Sequence, residues 1–136
     1  MRISFTDREL DVMAVLWERG SATVTEVRER LPDDLAYTTV LTVLRTLEEK
    51  GHVEHRGEGK AHRYFPLVER RVAGRSALAR LIETVFNGSP ELLLTQLVTE
   101  RDLSEEQLKR LRRLMDARAH FAAWADSSAE TMASTS

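Results

Sequence analysis

The stretch "AYTTVLTVLRTLEEKGHV", from Ala36 to Val53, combines a helical pattern with residues that disfavour helices. Its apolar residues recur at i, i+3, i+4 and i+7, the spacing of a helix that buries one face. They are Val40, Val43, Leu44 and Leu47. Four other positions carry threonine, whose branched β-carbon restricts χ1 in a helix. The sequence therefore predicts a helix over residues 37–50. Its outer face carries threonines that lower helix propensity, which indicates that these residues have a functional role.

The outer face of this helix has the composition expected of a surface that enters the major groove of DNA. Short side chains let the helix approach the base edges, and a threonine hydroxyl can donate and accept while its methyl group packs against thymine. Arg45 reaches a guanine or a phosphate, and Tyr37 offers a hydroxyl to a phosphate. The alternative is an ordinary solvated face, where glutamate and lysine are more usual. The predicted DNA contacts from this helix are Tyr37, Thr38, Thr39, Thr42, Arg45 and Thr46.

Two helices are predicted before this segment. Each begins with a capping box, Thr-x-x-Glu, in which the threonine and glutamate satisfy the free backbone amides of the first turn. Gly20 and Pro32 end them. The buried stripe predicted for the first helix is Leu10, Met13, Ala14 and Trp17.

A β-hairpin is predicted after the threonine-rich helix. In "HVEHRGEGKAHRYFP", Val53–Arg56 and Ala61–Phe65 have strand character, and the two glycines of "GEGK" suit a tight turn. Three helices followed by a hairpin is the order of a winged helix-turn-helix domain, in which the third helix lies in the major groove and the hairpin forms the wing. The predicted phosphate contacts from the wing are Arg56, Lys60 and Arg63, with plain exposed surface charge as the alternative.

Beyond residue 67 the sequence is helical and rich in leucine. "ELLLTQLV" is apolar nearly all round, and the helices on either side are amphipathic. These segments carry more apolar residues than they can bury alone, which favours a homodimer interface over packing back on the first domain. The predicted division is a winged helix at 1–67, a helical dimerisation domain at 68–124 and a flexible tail at 125–136. The predicted interface residues are Leu78, Leu81, Ile82, Leu93, Leu97, Leu108, Leu111, Leu114 and Met115.

Composition argues against several classes of function. The chain has no cysteine, which excludes disulfides and thiolate chemistry, and it contains no phosphate-binding loop or hydrolase motif, so neither an enzyme nor a cofactor is expected. His52, His55 and His62 lack the spacing of a metal site. The net charge of −2 means that any DNA contact must be a local patch. No apolar signal core or membrane-length run is present, so a cytoplasmic protein without direct membrane binding is expected.

The stretch "LAYTTVLTVLRTLEEKGHVEHRGEGKAHRYFP" closely resembles the penicillinase-repressor family. The N-terminal pattern of that family appears as "FTDRELDVMAVLW", its second helix as "ATVTEVRERL" and its wing exit as "YFP". The resemblance extends over about residues 3 to 120 and is specific in the first 66. It implies a mainly α fold with a small β-hairpin, in which a winged helix-turn-helix domain precedes a C-terminal helical dimerisation domain.

The resemblance also implies a mechanism. Members are dimeric repressors of resistance or stress genes that bind palindromic operators. In one branch a membrane-bound, β-lactam-sensing metalloprotease partner leads to cleavage in the dimerisation domain, and loss of the dimer then releases DNA. The family's recognition-helix positions match Thr38, Thr39, Thr42, Arg45 and Thr46, and its basic wing positions match Arg56, Lys60 and Arg63.

The sequence departs from the family pattern at two features, the cleavage site and the copper-sensing cysteines. The family's scissile Asn–Phe bond corresponds to Gln96–Leu97, a different pair of side chains for a protease to recognise. The absence of cysteine excludes the cysteine-based copper sensing of another branch. Two other readings remain open from the sequence: a winged helix released from DNA by a small ligand, and a winged helix that binds protein instead of DNA.

Overall fold

A computed structural model describes residues 3–134, with side chains described at residues 3–122 and at Trp124. The chain forms two compact units that divide after Gly88. The first unit contains, in order, α1 (Asp7–Arg19), β1 (Ala22–Thr23), α2 (Val24–Arg30), α3 (Tyr37–Glu49), β2 (Val53–Glu58), β3 (Ala61–Pro66) and α4 (Arg70–Thr84). The second contains α5 (Pro90–Glu100) and α6 (Glu105–Ser134). The predicted fold class, mainly α with a small β-hairpin after three helices, is confirmed.

Both predicted capping boxes are present. Thr6 Oγ1 accepts from the Glu9 amide at 3.1 Å, and Glu9 Oε1 accepts from the Thr6 amide at 2.8 Å. At the start of α2, Thr23 and Glu26 make the same reciprocal bonds at 3.2 and 3.4 Å. Each box satisfies amides that the first turn leaves without helical partners, so these two starts follow from local sequence.

The hairpin belongs to a three-stranded antiparallel sheet of order β1-β3-β2. Both hairpin strands are longer than predicted, and they are joined by a two-residue turn at Gly59 and Lys60 in which Gly59 has φ +61°. The sequence did not predict β1, in which Ala22 and Thr23 pair with Tyr64 and Arg63. Two residues are too few to show alternation, and their pairing partner lies some forty positions away, so no local pattern marks this strand.

The core of the first unit lies between α1, α2, α3 and the sheet. Val40, Leu44 and Leu47 of α3 are fully buried, and Val43 packs partly against them. The stripe predicted for α1 is wrong at Leu10 and Ala14, which are exposed. Their places are taken by Val12, Val15 and Leu16, because α1 packs against α2, α3 and the sheet together and so buries a face displaced from the predicted one.

Helix α4 belongs to the first compact unit, whereas the sequence assigned it to the second domain. Ser76 Oγ donates to the carbonyl of Ile3 at 3.0 Å, Ala73 is buried, and the Arg70 guanidinium lies 5.8 Å from the centre of the Trp17 ring. Trp17 Nε1 in turn donates to the carbonyl of Val68 at 2.7 Å. These contacts tie α4 to α1 and to the N-terminal segment.

The second unit has little interior of its own. Within the described chain, no residue of α5 is buried. Helix α6 continues to Ser134, beyond the predicted end of the helical domain at residue 124. The flexibility expected for residues 125–136 stays a prediction, and residues 135 and 136 lie outside the described part of the chain. No helix of the described chain is both long and apolar enough to cross a bilayer.

Candidate nucleic-acid interface

The face of α3 opposite the core displays most of the predicted contact residues. Tyr37, Thr38, Thr39, Thr42 and Arg45 are exposed, and Thr46 is half-buried. The buried stripe fixes the rotation of the helix, so the four threonines and Arg45 share the outward side. Tyr37 is the first residue of α3 and precedes the buried Leu44 by seven positions, so it is exposed at the helix start and not on that side. The structure therefore brings together five of the six helix residues selected from the sequence.

The threonines of α3 make hydrogen bonds that the sequence analysis did not foresee. Thr42 Oγ1 donates to the carbonyl of Thr38 at 2.9 Å, and Thr46 Oγ1 donates to the carbonyl of Thr42 at 3.0 Å. Each hydroxyl hydrogen is thus used within the helix, while the oxygen keeps lone pairs for an outside donor. The outer face consequently offers hydrogen-bond acceptors and methyl groups, a surface suited to the amino groups of adenine or cytosine and to the methyl of thymine.

The start of α3 differs from the starts of α1 and α2. Its N-cap residue is Ala36, and no side chain caps the helix. The amides of Thr39 and Val40 both donate to the carbonyl of Ala36, at 3.1 and 3.2 Å. The exposed Thr38 and Thr39 therefore surround an uncapped helix start, where the helix dipole favours an anion.

Tyr64 of β3 is buried, with its ring centre 5.6 Å from that of His55. It is 2% exposed, and burial raises its pKa, with Glu48 acting in the same direction and Arg45 against it. Tyr37 also raises this pKa. Tyr64 could not be singled out from the sequence, because a lone aromatic residue in a strand gives no signal of what it packs against.

A carboxylate at the end of α3 connects the helix to the hairpin. Glu48 accepts from the His55 amide at 3.1 Å, and its Oε2 lies 2.6 Å from His55 Nδ1. Glu48 is half-buried, whereas its neighbour Glu49 is exposed. Much of the negative charge at this end of α3 therefore faces the protein, which reduces its opposition to DNA on the outer face.

The wing, defined as Val53–Pro66, presents its basic residues unequally. Arg56 is 68% exposed; it pairs with Glu54 at 3.0 Å and lies 4.6 Å from the centre of the Phe65 ring. Lys60 occupies the exposed turn and makes no ion pair among the described residues. These two cations are available to an outside anion.

Arg63, the third predicted wing contact, is engaged by other side chains of the protein. Its Nε donates to Glu58 at 2.8 Å, its Nη2 donates to Glu26 at 3.0 Å, and its Nη1 lies 3.3 Å from both Glu26 and Ser21. Only 25% of the side chain is exposed. The structure thus separates Arg63 from Arg56 and Lys60, which the sequence analysis treated alike.

The three histidines of the first unit occupy two different settings. His52 is buried against Phe5, with ring centres 5.0 Å apart. His55 and His62 are exposed, and their rings meet edge to face at 4.8 Å. In the described chain, no three histidine or acidic side chains converge in a way that would hold a metal ion.

The predicted dimer residues are accessible in the single chain. Within the first unit, Leu78 and Leu81 are exposed and Ile82 is half-buried. Within the second unit, Leu93 and Leu111 are half-buried, and the others remain exposed: Leu97, Leu108, Leu114 and Met115. Gln96 and Leu97, the possible cleavage position, lie inside α5.

Comparison with known proteins agrees with this architecture. Residues 5–117 match the family model described as penicillinase repressor. The chain is 24% identical over 110 residues to the methicillin resistance regulatory protein MecI of Staphylococcus aureus, which covers 79% of this chain and 89% of that protein. It is 47% identical over 64 residues to the transcriptional regulator BlaI of Mycobacterium tuberculosis, covering 45% and 46%.

Among solved structures, E. coli MarR matches with a TM-score of 0.51 at 15% identity, covering 84% of this chain and 75% of that one. That likeness supports the winged-helix fold and nothing more specific. The family model spans both the winged helix and most of the C-terminal helices. The chain belongs to the penicillinase repressor family.

Proposed function

We propose that this chain is a DNA-binding transcriptional repressor that reads its operator with α3. The observation that carries the proposal is the outward face of α3, where threonine oxygens, threonine methyls and Arg45 stand together on a rigidly packed helix. Arg45 suits a guanine edge, and the threonines suit the remaining base edges. Family membership supports the same function.

The wing contributes sequence-independent binding. Lys60 at the turn and the exposed Arg56 contact phosphates, which adds affinity and fixes the register of α3. Glu48 accepts a hydrogen bond from the His55 amide and lies against the His55 ring, so its carboxylate is held toward the wing and away from the outer face of α3. This pairing favours DNA over a purely protein-binding role, because the acidic residues near α3 otherwise count against a DNA site.

The active form is a homodimer joined through the C-terminal helices and bound to a palindromic operator. The support is the apolar surface of the second unit, including Leu108, Leu114 and Met115, which one chain leaves exposed. Two linked winged helices bind two half-sites, the second intramolecularly, so operator affinity depends on dimer affinity.

Derepression follows from loss of this dimer. Cutting between Gln96 and Leu97 would divide α5 and remove α6 from the winged helix. The bond lies inside a helix, so α5 must open locally before a protease can bind it as an extended segment. Similarity to a methicillin resistance regulator supports a β-lactam or cell-wall signal. The resemblance to the penicillinase-repressor family implies a membrane-bound sensor metalloprotease as the partner that delivers it.

A salt titration of DNA binding tests the proposed function. The full chain is titrated onto DNA from upstream of its own gene and onto a scrambled duplex of equal length. We expect tighter binding to the upstream DNA and a linear fall of log K with log salt concentration, because phosphate contacts release counterions. Equal, salt-independent binding to both duplexes, or no binding to either, contradicts the proposal.

A further inference from the structure

The guanidinium of Arg63 is saturated by groups of the protein itself. Its four hydrogen bonds to Glu26, Glu58 and Ser21 occupy most of the five N–H donors that an arginine has. The hydrogen bonds that Arg63 donates to Glu58 and Glu26 raise the pKa of Arg63, and they lower the pKa of Glu26. To contact a phosphate, Arg63 would have to give up these bonds, which would leave Glu58 without its ion pair and Glu26 with Arg19 as its remaining ion-pair partner.

The position of Arg63 in the sheet explains what these bonds do. Arg63 pairs across β1 with Thr23 and across β2 with Arg56. Thr23 caps α2, and Glu26 is the other member of that capping box. The arginine fork therefore joins the middle of the wing to the first turn of α2, while Glu48 and His55 join the wing to α3.

The ion pair between Arg63 and Glu58 affects the charge near the wing turn as well as the orientation of the wing. Glu58 directly precedes the turn that carries Lys60, so its carboxylate stands close to the proposed phosphate contact. Arg63 Nε holds that carboxylate at 2.8 Å. Arg56 lies directly opposite Arg63 in the sheet, yet it pairs with Glu54 instead, so the two arginines use separate carboxylates.

We propose that Arg63 is a positioning residue: its fork to Glu26 and Glu58 sets the wing against α2 and keeps the Glu58 carboxylate from opposing DNA. Arg56 and Lys60 then meet the phosphates in the register that α3 requires. This inference rests on the proposed DNA-binding function and gives Arg63 a role different from that of the other two wing cations.

The test measures the affinity of the full chain for its upstream DNA between about 50 and 200 mM salt. Arg63→Lys keeps the charge and removes the planar fork, and Arg63→Gln removes both. Glu26→Gln keeps the capping geometry at the start of α2 but removes the anionic partner. Lys60→Ala is the reference for a direct phosphate contact. Arg30→Gln is the matched control, because its ion pair with Glu18 joins α1 to α2 and lies outside the wing.

We expect Arg63→Lys, Arg63→Gln and Glu26→Gln each to weaken binding several-fold without lowering the salt slope. Lys60→Ala should lower that slope by about 0.9. The double variant Arg63→Gln/Glu26→Gln should lose less affinity than the sum of the two single losses, because both substitutions remove the Arg63–Glu26 link, while Glu26→Gln additionally removes an ion pair with Arg19. Thermal unfolding and hydrogen exchange of each variant separate a displaced wing from an unfolded domain.

Three results overturn the inference while leaving the proposed function intact. They are wild-type affinity in Arg63→Lys, a slope in Arg63→Gln reduced as it is in Lys60→Ala, and additive losses in the double variant. Absence of salt-dependent binding by the wild-type chain is a different result, since it overturns the proposed function and this inference together.

Discussion

Helix α3 of the first unit and the helices of the second unit use their apolar residues in opposite ways. Val40, Leu44 and Leu47 of α3 are fully enclosed by neighbours in the same chain. In α6, Leu114 is 68% exposed and Met115 48% exposed, and no residue of α5 is buried within the described chain.

This difference separates two sources of stability. A helix with a buried stripe is held by its own domain and can devote its other face to recognition. Most helical stability in proteins comes from packing of an apolar face, so helices that expose theirs require another surface to cover them. We infer that the first unit folds on its own interior and that the second completes its interior with a second copy.

The largest expected effect comes from charging the exposed surface of the second unit. Leu114→Asp should dissociate the dimer, because an unpaired carboxylate cannot be buried cheaply at an apolar interface. Operator affinity should fall by about 10²–10⁴-fold, since the second half-site is no longer bound intramolecularly. Electrophoretic mobility shift titrations measure the loss.

Leu10→Asp is the matched control for that substitution, because Leu10 is a leucine of the first unit with 46% exposure. It should leave the assembly unchanged. Equal effects of the two substitutions on assembly would contradict the assignment of Leu114 to the dimer interface.

The next largest effect distinguishes a core that one chain completes from a core that requires a second copy. Leu44→Ala should lower the free energy of unfolding by about 2–5 kcal/mol at every protein concentration, because it opens a cavity in an interior made by one chain. Leu97→Ala in α5 should destabilise by an amount that depends on protein concentration, because its packing is completed by association. Chemical denaturation at several concentrations gives both values. A concentration-independent loss for Leu97→Ala would refute the comparison.

A smaller effect is expected at the outer face of α3, which carries the proposed base contacts. Arg45→Ala should cost about 1–3 kcal/mol of discrimination at one base pair of the operator, because the lost contact is to a base edge. Competition between the operator and single-base variants measures it. Lys60→Ala is the control, and it should weaken all sequences alike. Loss of discrimination with Lys60→Ala but not with Arg45→Ala would reverse the two roles.

The smallest effect is a pH dependence within the first unit. Burial alone would raise the pKa of Glu9, but hydrogen bonds from Lys50 and Thr6 lower it below 4.5. Because the folded pKa is depressed, the stabilisation is fully present above pH 4.5 and is lost as the pH falls through the folded pKa.

Glu9→Gln keeps the capping amide bond and removes the charge. The difference in unfolding free energy between wild type and this variant should therefore shrink below pH 4.5. A difference that stays constant from pH 7 to well below 4.5 would show that the Lys50 pair contributes nothing.

Features encoded locally could be predicted from the sequence, and features that depend on distant residues could not. The capping boxes and the stripe of α3 lie within one or two helical turns, so spacing alone reveals them. The same glutamates have second partners: Glu9 pairs with Lys50 at 2.8 Å, and Glu26 pairs with Arg63. No local pattern encodes those partners.

The residues of the candidate site show the same distinction between local and distant information. The contact residues of α3 could be chosen because one helix supplies them all. The wing arginines could not be told apart, because Arg56 and Arg63 have the same local signal and differ only in which carboxylates the fold brings near them. The exposure of Leu10 was missed for a similar reason, since several elements together decide which face of α1 is buried.

Sedimentation equilibrium of the full chain, alone and as Leu114→Asp, most directly tests the claim that a second copy completes the second unit. The account predicts about twice the chain mass of 15.5 kDa for the wild type at micromolar concentration and the single-chain mass for the variant. A wild-type mass of one chain, with stable α5 and α6 at the same concentration, would contradict it.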